Sequence, residues 1–155
     1  MPIREVLSDG SVRFRTPACT FVVMRLRPGV VLALTAGHDT GEFGHAVLEE
    51  FALELRKYAP IQLFVDTTLA FNATQTVAEQ WSSWLAANRP GLQSVNVLTA
   101  SKFVHLTISI AKLFSRTGET MRLYTDGRAF EEALGREIGA PVSLEKIRLG
   151  VELVR

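Results

Sequence analysis

The stretch that decides the fold is TFVVMRLRPGVVLALTA, residues 20–36. Two runs rich in β-branched and apolar residues flank a Pro-Gly pair, and such a pair favours a tight turn between strands. The pattern predicts a β-hairpin whose strands cover residues 20–26 and 30–36. Residues 30–34 are apolar without alternation, which is typical of a strand covered on both faces. The hairpin is therefore expected to belong to a sheet with helices packed against it.

Beyond the hairpin, helical and strand-like patterns alternate. Helices are predicted from Thr40 to the residue before Pro60, over residues 74–88 and 101–115, and from Asp126 to about Ile138, with strands over residues 61–66, 95–98 and 121–124. Strands that are joined by helices pair in parallel, whereas the two strands of a hairpin are antiparallel. The predicted fold class is α/β: a single mixed, mostly parallel β-sheet with an N-terminal β-hairpin followed by αβαβαβα.

Both ends of the chain lie outside this pattern. Val12 to Arg15 alternate in polarity, which predicts a short edge strand within an N-terminal extension, residues 1–19. Apolar residues also alternate over residues 147–153, which predicts an extra strand in a C-terminal tail, residues 141–155. Such a strand needs a partner edge, either in the N-terminal segment or in another subunit. The central domain is expected to span residues 20–140.

Composition narrows the classes of function. The chain has 155 residues, a formal net charge of +1, 47% hydrophobic and 21% charged residues, which suits one globular domain with a sizeable core. The near-neutral charge disfavours a general nucleic-acid binder, and a single cysteine excludes a disulfide framework or a cysteine-rich zinc site. No stretch approaches the ~20 apolar residues of a membrane span, and the first residues do not resemble a secretion signal. We expect a cytoplasmic protein with no nucleic-acid partner and no membrane span.

Acidic residues at predicted strand ends are the best placed for chemistry. Asp66 and Asp126 each follow a predicted strand, and the turn His38-Asp39-Thr40 follows another. Sheets of this class bind ligands at the carboxyl ends of parallel strands. The alternative is that these residues only cap the turns that follow. We favour capping for Asp126 and for the turn at residues 38–40, and leave both possibilities open for Asp66.

No complete catalytic or metal-binding set accompanies these acids. His38, Glu42 and His45 have a spacing that would share one helix face, but a solvated polar face is favoured because His38 precedes the predicted helix. The sequence contains no phosphate-binding glycine motif and no nucleophile elbow. Cys19 has no neighbouring histidine and is predicted to be a buried, inert thiol. We expect no catalytic residue, no metal and no cofactor.

Residues 101–115 carry more apolar surface than one packing contact needs. The predicted helix has two stripes, one of Phe103, Leu106, Ile110 and Leu113, the other of Val104, Ile108 and Ala111. An apolar surface wider than ~100° suggests burial against a second neighbour. That neighbour is either another element of the domain or another subunit, and the second case would make the protein a homodimer.

The layout resembles the STAS domain, which is related to anti-sigma factor antagonists and SpoIIAA-like proteins. The resemblance covers residues 20–139 and rests on the element order and on the segments WSSWL, residues 81–85, VNVL, residues 95–98, and LFSRTG, residues 113–118. It implies a domain without intrinsic catalysis that binds a partner protein, often a kinase or another switch protein. Some members bind nucleotides or lipids, so a small-ligand domain, or a small enzyme using the strand ends, is the alternative function.

The resemblance also implies a site. In phospho-regulated members an Asp-Ser pair at a helix start carries the phosphorylated serine; here Asn72-Ala73 replaces that pair, and Thr74 is the nearby hydroxyl and the candidate phosphoacceptor. The candidate partner or ligand surface comprises Asp66, Asn72, Thr74, Thr76, Val104 and Ile108.

Overall fold

The computed structural model of the chain describes residues 2–100, 102, 108, 109 and 120–153. Its strands form one sheet in chain order: β1 (Ile3–Val6), β2 (Val12–Arg15), β3 (Cys19–Arg27), β4 (Val30–Asp39), β5 (Ile61–Ala73), β6 (Leu92–Leu98) and β7 (Met121–Tyr124). Pairing is antiparallel from β1 to β4 and parallel from β4 to β7. The helices of the described residues are α1 (Ala46–Tyr58), α2 (Gln75–Asn88), α3 (Gly127–Ile138) and α4 (Leu144–Gly150), with a 3₁₀ turn at Arg89–Gly91. The predicted α/β class with one mixed sheet is confirmed.

The predicted hairpin is the pair β3 and β4. Gly29 adopts a φ of +83° in its turn, a backbone conformation that glycine accepts without strain. Val30 to Leu34 are all buried, as their unbroken apolar pattern predicted. Alternate residues of this strand therefore contribute to two separate cores.

Each face of the sheet carries its own core and its own helices. On one face, which we call the α1/α2 face, side chains of the two helices pack on odd-numbered residues of the central strands. This core includes Phe51 of α1 and Leu85 of α2, together with the strand residues Val31, Leu63 and Val97. On the other, the α3/α4 face, the core includes Phe130, Leu134, Leu144, Leu32 and Phe64. Ile108 is half-buried and packs against the first core.

Both ends of the chain join this sheet. The strand predicted at Val12–Arg15 is β2, but it is not the edge, because β1 pairs along its outer side. The prediction of a strand in the tail is wrong: residues 144–150 form α4, with Ser143 as its N-cap. Leu149 is 64% exposed whereas Leu144 is 3% exposed, so burial follows helical rather than alternating spacing. The division at residues 20 and 140 stays a prediction.

Two element boundaries near the carboxyl edge of the sheet differ from those predicted from the sequence. The helix expected from Thr40 begins at Ala46, because Gly41 and Gly44 adopt φ values of +88° and +57° that a helix cannot contain. The strand expected to end at Asp66 continues to Ala73.

The helix predicted over residues 101–115, including Val104, lies outside the described residues, apart from Lys102, Ile108 and Ser109. Within the described part of the chain, no helix has the length and apolar character needed to cross a membrane.

Candidate functional site

The loop after β4 meets the junction of β5 with α2 at the carboxyl edge of the sheet. The parallel register sets His38 beside Asn72 and Asp39 beside Ala73. The backbone N–H of Thr74 donates a hydrogen bond to the carbonyl oxygen of Asp39, with an N–O distance of 3.1 Å. The end of β4 and the start of α2 are therefore held together as one surface.

The loop after β4 is an ordered turn. The Asp39 carboxylate accepts a hydrogen bond from the backbone N–H of Gly41 at 3.0 Å, and the Thr40 hydroxyl donates to the Glu42 carboxylate at 3.0 Å. Gly41 lies so close to α2 that a Cβ atom there would stand 3.5 Å from the methyl group of Thr76. The turn therefore rests directly on the first residues of α2.

The start of α2 presents three of the predicted site residues together. Thr74 is the N-cap, and its hydroxyl oxygen accepts a hydrogen bond from the backbone N–H of Val77 at 3.4 Å. Asn72 and Thr76 are exposed and Thr74 is half-buried. We call the surface formed by Thr40, Glu42, Asn72, Thr74 and Thr76 the docking surface.

Asp66 does not belong to this surface. It is 1% exposed, lies within β5 rather than at its end, and faces α4. The Arg148 guanidinium donates to its carboxylate at 2.7 Å, while the backbone N–H and the hydroxyl of Thr68 donate at 3.0 and 2.6 Å. These partners compensate the loss of water around a buried carboxylate. Its placement on the candidate surface is therefore corrected.

The other sequence candidates also separate. Asp126 is the N-cap of α3 and accepts from the backbone N–H of Arg128 at 3.0 Å, as the capping interpretation predicted. His38 lies in β4 and His45 immediately precedes α1. The two histidines therefore do not share a helix face, which the metal site considered from the sequence would require. Among the described residues, no group of three or more potential ligands is placed to hold a metal ion.

Burial sets the electrostatics beneath the docking surface. Desolvation raises the pKa of Asp39 above its ordinary value of 3.8, and the hydrogen bond from Gly41 opposes that rise. Desolvation likewise raises the pKa of the Cys19 thiol to about 12. Cys19 is therefore a neutral thiol at physiological pH rather than a nucleophilic thiolate, in agreement with the inert thiol predicted from the sequence.

A cavity of about 90 Å³ lies under the docking surface, between α2 and the sheet. Asp39 and Asn72 line it, as do apolar residues of α2, β5 and β6. The sequence placed Asp39 at the sheet edge but did not connect it with residues 72–76. β4 and β5 end at the same level of the sheet, and recognising this would have placed Asp39 beside residues 72–76. Nothing in the sequence pattern indicates a cavity.

The mixed sheet with a parallel centre and helices on both faces matches the SpoIIAA-like fold of solved structures. An anti-sigma factor antagonist from Mycobacterium paratuberculosis shares it with a TM-score of 0.55 and 14% identity, over 77% of this chain and 97% of that chain. An uncharacterised protein with a SpoIIAA-like fold from Shewanella loihica PV-4 matches with a TM-score of 0.53 and 16% identity, over 77% and 96%. The predicted resemblance is thereby confirmed for the fold. No protein-family profile and no curated protein matches the sequence.

Proposed function

We propose that this chain is a non-catalytic, STAS-like interaction module of bacterial signalling that works in the cytoplasm. It binds a partner protein through the docking surface. The observation that carries this proposal is the register of β4 with β5, which sets the loop after β4 beside the junction of β5 with α2 at one edge of the sheet. One protein that shares this fold is named an anti-sigma factor antagonist, and this name supports a protein as the partner.

The docking surface suits recognition because its backbone is held in place before any partner arrives. Phe43 and Val77 are buried directly beneath it, and the hydrogen bond from Thr74 to Asp39 joins its two halves. Exposed hydroxyl, amide and carboxylate groups then project from a fixed frame. A surface that is already ordered loses little conformational entropy on binding.

The engagement of the acids and the thiol supports a non-catalytic role. Asp66 is ion-paired and buried, Asp126 caps a helix, and Cys19 is a neutral thiol. A general base or nucleophile needs a free lone pair within reach of substrate, with a pKa suited to its task. The Asp66 carboxylate is held out of solvent by three donors and the Cys19 thiol is protonated, so neither of these two groups meets that requirement.

Affinity capture from the native cell tests the docking surface. We compare the tagged chain with Thr76→Arg, which adds a cation to the docking surface, and with Gln93→Arg, which adds the same cation at an exposed position at the start of β6. Quantitative mass spectrometry should show a protein that is lost at least ~10-fold with Thr76→Arg and retained with Gln93→Arg. Identical captured sets for the two variants would contradict the proposal.

Thr74 is the proposed phosphoacceptor. A phosphate on its hydroxyl would lie at the first turn of α2, where backbone N–H groups and the helix dipole favour negative charge. It would also add charge to the centre of the docking surface. Protein isolated from the native cell should carry one phosphate that persists in Thr76→Ala and disappears in Thr74→Ala. A phosphate located on a different residue would refute the assignment.

Self-association is a separate part of the proposal. The two apolar stripes that motivated a homodimer fall mainly outside the described residues, so the homodimer stays a prediction. Sedimentation equilibrium of the full chain checks it, since a dimer doubles the mass at micromolar concentration.

The small-ligand alternative is favoured by one observation, the cavity under α2.

A further inference from the structure

The cavity under α2 is lined mainly by apolar groups. Val65 and Val97 of the sheet form its floor, and Val77 and Trp81 of α2 form its roof. Its volume, about 90 Å³, is several times the ~10–15 Å³ that one water molecule needs. Protein interiors seldom leave spaces larger than a water molecule, because each contact that is not made costs stability.

Small side chains create this space. Ala70 and Ala73 of β5 and Ala78 of α2 line it, where larger residues would fill the gap between helix and sheet. The ring of Phe21 stands 6.1 Å from that of Trp81, so one wall is aromatic. The space suits a flat ring or a short chain, and it is far too small for a nucleotide.

The lining is almost entirely apolar, and its one charged side chain among the described residues is that of Asp39, at one end of the cavity. Asp39 lies there half-buried, and its Oδ1 atom accepts from Gly41, while its second carboxylate oxygen has no hydrogen bond with the described residues. Thr35 also lines the cavity, and its hydroxyl is 3.7 Å from the Cys19 sulfur. Asn72 is exposed and lines the cavity too, so this end reaches the surface. An acceptor at the end of an apolar space selects a molecule that carries a donor.

We propose that this cavity is a binding site for a small apolar molecule with one hydrogen-bond donor, of the size and class of phenol. The ring lies between Trp81 and the sheet, and the donor meets the Asp39 carboxylate. This inference goes beyond the proposed docking function and does not depend on it, because it concerns the space beneath α2 rather than the exposed surface.

Direct binding to the full chain tests the site. Phenol and toluene are the probes, and two-dimensional NMR spectra recorded during each titration detect their binding. We expect saturable shifts around Val65, Val77 and Trp81 with a Kd of about 1 mM or tighter for phenol. Ala78→Leu, which fills the cavity from a helix that tolerates leucine, should abolish binding of both probes. Ala70→Val fills it from β5 and serves the same purpose if Ala78→Leu does not fold.

The role of Asp39 is tested by the ratio of the two affinities. In Asp39→Ala the phenol affinity should fall at least ~10-fold relative to that of toluene, since a hydrogen bond to a charged acceptor is lost. Glu49→Ala removes an exposed carboxylate of α1 that lies outside the cavity and the docking surface, and it should leave the ratio unchanged. Shifts that do not saturate, or binding that survives in both filled variants, would overturn the site. An unchanged ratio in Asp39→Ala would overturn the assignment of the donor.

Discussion

The two faces of the sheet hold an aspartate in opposite ways. On the α3/α4 face, Asp66 is fully buried and is matched by the Arg148 guanidinium and two donors from Thr68. On the α1/α2 face, Asp39 is half-buried beside a cavity and has the Gly41 N–H as its hydrogen-bond donor. A carboxylate that leaves water must find compensating partners or its pKa rises. The first aspartate is fully engaged within the fold, whereas the second keeps one carboxylate oxygen without a hydrogen bond among the described residues.

The surroundings of the two aspartates also differ. Polar groups on the α3/α4 face are paired with one another: the Gln62 amide donates to the Glu137 carboxylate at 2.7 Å and accepts from the Ser94 hydroxyl at 3.0 Å. On the α1/α2 face, alanines of α2 and β5 border open space. The α1/α2 face has paired acids too, since Arg25 donates to Glu50 and Glu54, so the difference between the faces lies in Asp39 and the cavity beside it.

The largest expected effect comes from breaking the ion pair. Arg148→Ala leaves the Asp66 carboxylate buried without its cation and should lower the free energy of unfolding by about 3–5 kcal/mol. Equilibrium urea unfolding measures the change. The double variant Asp66→Asn with Arg148→Met removes both charges and should cost less than Arg148→Ala. A loss below about 1 kcal/mol for Arg148→Ala would place the pair among weak surface contacts.

A matched pair of leucines in α4 gives the next effect. Leu144→Ala removes a side chain that is 3% exposed and should lower the free energy of unfolding by about 3 kcal/mol. Leu149→Ala changes a side chain that is 64% exposed and should stay within about 0.5 kcal/mol. The same urea titrations measure both. Equal losses would favour the alternating strand that the sequence pattern first suggested.

Elements with complete local signals were predictable from the sequence. The hairpin of β3 and β4 has a Pro-Gly turn between apolar runs, and Thr74 and Asp126 each begin a helix as N-cap. In these cases the turn residue or cap lies within a few positions of the pattern that it ends. The local chain therefore carries enough information to define the element.

The remaining features depend on partners that are distant in sequence. Asp66 pairs with Arg148, 82 positions away, and this contact allows β5 to continue past a buried acid. The strand β1 has no clear pattern of its own and forms because β2 offers it an edge. The cavity arises from how three alanines meet across two elements, which no one-dimensional period records. The candidate site was thus only partly predictable.

Loss of the N-cap of α2 should give a smaller change than Arg148→Ala or Leu144→Ala. Thr74→Ala removes the acceptor of the Val77 N–H and should lower the free energy of unfolding by about 1 kcal/mol. Thr74→Ser keeps the hydroxyl and should lose far less. Thermal and urea unfolding of both variants check this. Equal losses would mean that the threonine methyl group, rather than the cap, stabilises this helix start.

The smallest effect, and the most specific to the α1/α2 face, is the pH dependence that Asp39 contributes. Because its pKa in the folded chain lies above the ordinary 3.8, folding favours the protonated carboxyl. Its contribution to stability is therefore full below pH 3.8 and is lost as the pH rises through the folded pKa. Asp39→Asn lacks this loss, so the stability of the variant relative to the unmodified chain should rise from about pH 3 to about pH 7. Asp9 is the matched control: hydrogen bonds from Ser11 lower its pKa, so Asp9→Asn should show the opposite slope. Slopes of the same sign for both variants would show that burial does not control the Asp39 carboxyl, and the contrast between the two faces would then rest on packing alone.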